Sequence, residues 1–221
     1  ADLYTGLVIV AAFFVQISGW PRLPIFMDCY YHLAVMRGFE QAGGWVGTAF
    51  WEYVPAGRPH LYPPLFHFLE MLLACCGIGP IFVARLFQFL VYPFFLAAMA
   101  WFLKSRYNSR IAFWATFLFF SSATLQSSVL IYIPSTLAFL MGYIAYGFLE
   151  ERRLWSAALM LALVFYMHTL VGVFFGGAFL LCGFLRPPLR RIALPVTGAA
   201  FLGASPWLWH VARHASFLTL A

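Results

Sequence analysis

Charge is what this chain has least of. Only 9% of its 221 residues are Asp, Glu, Lys or Arg, and seven of those are acidic. A soluble domain carries about 25% charged residues, so this composition excludes an ordinary water-facing surface. Cysteine is equally sparse. Cys29, Cys75, Cys76 and Cys182 form no C-x-x-C pair, which excludes a zinc ribbon and a disulfide framework and leaves them as small buried hydrophobes. No segment repeats at a period of 20–50 residues. The opening has neither the basic start nor the small-residue cleavage site of a signal peptide.

What remains is apolar. Hydrophobic residues make up 64% of the chain, and the mean hydropathy is +0.87. The expected fold is therefore an all-α integral membrane protein, a single transmembrane domain over 1–221 with no soluble domain. The net charge of +6 raises nucleic acid as a partner. The basic residues instead cluster in short loops between apolar runs, where membrane topology accounts for them, so no nucleic acid is expected.

Seven apolar runs read as spans: 3–20, 81–103, 111–122, 134–149, 154–168, 169–185 and 192–209. Residues 64–76 are also apolar, but 13 residues of helix cover roughly 20 Å against a hydrocarbon core of roughly 30 Å. That piece is expected to lie at the interface or re-enter the bilayer. Eight of the thirteen basic residues fall in 104–110, 150–153 and 186–191, and none falls in the alternate turns 121–133 and 166–172. If 64–76 does not cross, the basic loops and the N-terminus are cytoplasmic. Residues 21–80 then form one long outer loop with interfacial helices, too long to serve only as a connection.

The polar residues of that loop are the candidates for chemistry. DCYYHL places Asp28 and His32 four residues apart, on one face of a helix. Either Asp28 caps that helix and His32 rests on it, or the carboxylate serves as a general base or divalent-cation ligand. Farther on, Arg58 and His60 stand among prolines and aromatics. A guanidinium there offers forked donors to a phosphate, whether of a substrate or of a lipid headgroup. Arg85, one turn into the second span, is placed to meet Glu70 or a lipid phosphate, or to snorkel to the interface. His168 falls in an outer turn, either completing a site or simply turning the chain. Gly172, Gly176, Gly177 and Gly183 read as close helix packing.

DCYYHL just after the first span, AGRPHLYPPLFHFLE at 56–70 and a second span ending in a basic loop resemble a known family. They are similar to the catalytic subunits of archaeal and bacterial oligosaccharyltransferases, within the GT-C superfamily of membrane glycosyltransferases. The resemblance implies a seven-span module in a prokaryotic plasma membrane. It implies transfer of a sugar from a polyprenyl-phosphate-linked donor, with Asp28 at the active site holding Mn or Mg and His32 beside it. Arg58, His60 and Arg85 would then meet the donor phosphate. The family carries a second acidic motif in the next outer loop, where this chain reads SSATLQSSVLIYIPST, without Asp or Glu. Its further metal ligand and acceptor-binding domain follow the seventh span and have no counterpart in these residues. The competing expectation is a non-catalytic subunit held by other membrane subunits. A transporter ranks below both, because the spans have almost no charge at mid-depth.

Overall fold

The computed structural model describes residues 1–22, 28–122 and 133–220. The polar stretch 123–132, where the family's second acidic motif was sought, lies outside the described residues, as do 23–27 of the long loop.

The fold is all-α. Its helices are α1 (Asp2–Gly19), α2 (Cys29–Ala42), α3 (Leu65–Cys75), α4 (Pro80–Arg106), α5 (Ser109–Ser121), α6 (Pro134–Glu150), α7 (Leu154–Met167), α8 (Thr169–Leu185) and α9 (Arg190–Arg213). Local sequence explains the ends. Asn108 caps α5 by accepting the backbone N–H groups of Arg110 and Ile111. Pro80 and Pro134 open α4 and α6, where a missing N–H removes no hydrogen bond. Gly43 closes α2 in the left-handed conformation (φ 72°) that glycine tolerates best. Between α2 and α3 a two-residue strand pair, Thr48–Ala49 with Arg58–Pro59, pins the loop back on itself.

Side-chain contacts fix the direction of each helix. Asp2 at the start of α1 pairs with Lys104 at the end of α4, at 3.0 Å. At the opposite end Trp20 packs edge-on against Phe82, ring centroids 5.5 Å apart. So α1 and α4 are antiparallel, and the segment joining them leaves and re-enters the bundle at one end. The segment that carries α2 and α3 therefore makes no net traverse of the bundle, and the 11 residues of α3 are fewer than a standard span needs. Arg106 meets Glu150 at 3.5 Å, and Arg186 also pairs with Glu150, which gathers the ends of α4, α6 and α8. At the other end the Trp207 indole N–H donates to Thr169 at 3.0 Å, joining α9 to the start of α8. All eight basic residues of 104–110, 150–153 and 186–191 thus share one end, and the 28–79 segment occupies the other.

Three stretches, Asp2–Arg22, Pro80–Arg106 and Pro187–Arg213, are long and apolar enough to cross a bilayer. The remaining bundle helices α5, α6, α7 and α8 are shorter, at 13, 17, 14 and 17 residues. The surface is apolar as well as the core: Leu3, Leu7, Phe14, Trp155, Leu170, Phe174 and Leu202 all face outward. A helical bundle with exposed apolar flanks suits lipid rather than water.

The core proper joins α6, α7, α8 and α9 around Leu161, Phe165, Phe175 and Phe179. Small residues allow the close approach. A Cβ added at Gly142 would lie 2.2 Å from the Phe175 ring, and one at Gly172 would lie 2.6 Å from Phe165. Gly183 abuts Ala193 just as closely, while Gly177 faces open space. The glycine stripe expected from sequence is thus a packing device at Gly172 and Gly183 but not at Gly177. Gly142 is a packing glycine outside that stripe.

Candidate functional site

α2 and α3 form a cap over one end of the bundle. The buried faces of the two helices meet through Val35, Met36, Phe39, Met71 and Ala74. Their polar residues sort into an inner set and a rim.

The inner set is built of imidazoles. His32 Nδ1 and His67 Nε2 lie 2.9 Å apart and share a hydrogen bond, and both rings are essentially unexposed. His60 is 1% exposed and sits edge-on to Phe39, Trp51 and His67. Neither of its ring nitrogens has a hydrogen-bond partner among the described residues. Its carbonyl accepts from His210 Nε2 at 2.9 Å, tying the loop to the end of α9. Burial lowers His32 to about 4, with a further push from His168. Burial also lowers His60 to about 4, helped by His210 and Arg58, and drives His67 well below its ordinary range. These rings are neutral at physiological pH. Glu70, one turn after His67, is fully buried, and neither of its oxygens has a hydrogen-bond partner among the described residues. Burial raises its carboxyl well above the ordinary value. The contact sought between Glu70 and Arg85 is not made through those oxygens; Arg85 is half-buried in the second turn of α4.

The rim carries the accessible groups. Asp28 precedes α2 and is exposed, with no side-chain cap hydrogen bond. Tyr62 sits beside Asp28. Burial, then the Asp28 charge, pushes its phenol up to about 12. The Tyr62 ring packs 5.7 Å from Tyr31. The Tyr31 phenol is raised by burial, then by Glu52, with Arg58 acting against it. Arg58 pairs with Glu52, lies 5.6 Å over the Tyr53 ring, and opens on a cavity of about 400 Å³ that also touches Gly57 and Phe217. The Asp28 charge thus acts on Tyr62 and the Arg58 charge on Tyr31, and the two rings are in contact.

The sequence pairings are redistributed by this packing. Asp28 and His32 share a helical turn, since the His32 N–H donates to the Asp28 carbonyl at 3.0 Å. Their side chains diverge, Asp28 outward and His32 inward. Arg58 and His60 separate likewise, and buried His60 does not reach the rim. His168 caps α8, accepting the Val171 N–H at 3.4 Å. Tyr62, which packs on Tyr31, His32 and His67, carried no signal in sequence beyond its place in LYPP.

A divalent cation, implied for Asp28 by the resemblance, does not fit the residues present. Among the described residues no three His, Cys, Asp or Glu side chains stand where one ion meets them all. Compared with known proteins, the chain matches no family model, no curated protein and no solved structure.

Proposed function

We propose that this chain is the membrane module of a glycosyltransferase that draws its sugar from a polyprenyl-phosphate-linked donor. One observation carries the reading: an exposed carboxylate and a guanidinium flank one aromatic rim, on a cap that leaves and rejoins the bundle at a single end. With the basic end cytoplasmic, that rim faces the outer side of the bilayer, where a lipid-borne donor and an external acceptor meet. Asp28 accepts the proton of the acceptor nucleophile as the nucleophile bonds to the anomeric carbon. The bond from that carbon to the phosphate oxygen breaks, and the phosphate leaves with the electron pair. Arg58 neutralises the charge that develops there, and its forked geometry suits a phosphate. Arg85, at the same end, is a second cation for that charge. His32, bonded to His67, positions α2 rather than touching substrate.

The test is transfer from a radiolabelled polyprenyl-phosphate-linked sugar in proteoliposomes. Asp28→Asn should cut the rate at least 100-fold while leaving the unfolding temperature unchanged. Undiminished transfer by that variant removes Asp28 from the mechanism. No transfer by the wild-type protein, together with fixed membrane partners on purification, would replace this reading with the non-catalytic subunit.

A further inference from the structure

A second cleft lies on the other face of α2, away from Asp28. It encloses about 480 Å³, lined chiefly by Tyr30, Leu33, Arg37, Gln41, Trp51 and Ile81. Tyr30, Arg37 and Gln41 recur at helical spacing, seven and four residues apart, so one stripe of α2 supplies them. Nine residues separate Asp28 from Arg37, which turns the helix by half a revolution and places the two groups on opposite faces. Arg37 is exposed and makes no ion pair among the described residues. The floor beside it is apolar, and its far edge is the first turn of α4, where Ile81 and Phe82 are 54% and 50% exposed.

These features combine two chemistries in one cleft. A guanidinium with a neighbouring carboxamide offers convergent donors to a phosphate. Leu33 and Ile81 offer nothing to a hydrated anion and suit a hydrocarbon chain. A soluble phosphate leaves the apolar walls wet, and an uncharged lipid leaves the cation unmatched. The first turn of α4, one of the long apolar helices, stands where a span meets the headgroup layer.

We infer that the Arg37 cleft is a docking site for an anionic phospholipid, its phosphate on Arg37 and Gln41 and one acyl chain running over Leu33 and Ile81. The site is distinct from the Asp28 rim and anchors the α2–α3 cap to the bilayer surface. It requires membrane insertion but not glycosyl transfer, so loss of Asp28-dependent transfer leaves it untouched.

Native mass spectrometry of the purified full chain, delipidated and titrated with phosphatidylglycerol, tests it. The wild-type protein should retain one tightly held phosphatidylglycerol. Arg37→Gln should weaken that first binding event at least tenfold, and Ala34→Phe, which fills the apolar side of the cleft while sparing the guanidinium, should weaken it comparably. Both variants should unfold at the wild-type temperature in the absence of lipid, which separates lost binding from lost folding. Equal retention by wild type and Arg37→Gln overturns the inference. So does displacement of phosphatidylglycerol by an equimolar polyprenyl phosphate, which would make the occupant a donor-type lipid instead of a structural one.

Discussion

Glu150→Ala should be the most damaging single substitution at the basic end, lowering stability by about 3 kcal/mol. The Glu150 side chain is 3% exposed. It accepts from the Tyr146 hydroxyl at 2.8 Å, pairs with Arg186, and meets Arg106 at 3.5 Å. One carboxylate thus neutralises two cations and ties the end of α6 to the ends of α4 and α8. Removing it leaves Arg106, 27% exposed, facing Arg186 with nothing between them. Uncompensated buried charge is what makes such deletions costly. Arg186 is half-exposed, so water relieves part of the penalty and the expected value sits at the low end of the range. Glu150→Gln keeps the shape and one acceptor and should cost about half as much. Thermal unfolding in detergent measures both, and equal stability of wild type and Glu150→Ala would show that the three helix ends are held by packing alone.

Acidification should release the cap. His32 and His60 ionise in the folded protein near 4, against an ordinary value of 6.5, because burial disfavours the charged ring. The unfolded loop therefore binds protons that the folded cap refuses. The stabilisation is fully present above about pH 6.5 and is lost as pH falls from there towards 4. By linkage, each ring contributes a loss on the order of 2 kcal/mol at pH 5. His67, also lowered by burial, adds in the same direction. The charged groups that act on this cluster, His168, His210 and Arg58, all oppose a new positive charge; Glu70, whose carboxyl is raised by burial, works the other way and offsets part of the loss as pH falls. Amide hydrogen exchange read between pH 7.5 and 4.5 should show protection of 29–42 falling more than tenfold beyond the intrinsic pH effect. The core of α6 to α9 should hold over the same range. Protection of 29–42 that is flat with pH would contradict burial of these imidazoles.

Much of this arrangement is legible in the residues because long apolar runs and their breakers are strong signals. The run at 169–185 coincides with α8, and 134–149 falls one residue short of α6. Charge asymmetry between loops groups residues that the structure gathers at one end of the bundle, around the Asp2–Lys104 and Glu150 ion pairs. The site was harder to read. Spacing says that Asp28 and His32 share a face, but a cap residue at the helix start has room to turn outward while the ring four residues on meets α3. No local pattern announces that His32 bonds His67 across 35 positions, or that His60 turns away from Arg58. These contacts depend on how a 22-residue connection between α2 and α3 folds back, which is a tertiary event. Arg37 was findable: it lies on the stripe of Tyr30 and Gln41, but a lone cation on an amphipathic helix reads as solvent-facing until a wall appears opposite it.

Sided labelling of single cysteines tests most directly whether α3 stays on the side where the loop begins. In intact cells, with Cys29, Cys75 and Cys182 replaced, an impermeant maleimide is applied before and after opening the membrane. Three chains are compared: native Cys76 alone, Glu40→Cys without Cys76, and Arg152→Cys without Cys76. Cys76 and Glu40→Cys should both react from outside, and Arg152→Cys only after the membrane is opened. Labelling of Glu40→Cys and Cys76 from opposite sides would mean that residues 65–75 traverse the bilayer, and neither the cap nor the glycosyl-transfer proposal would survive that result.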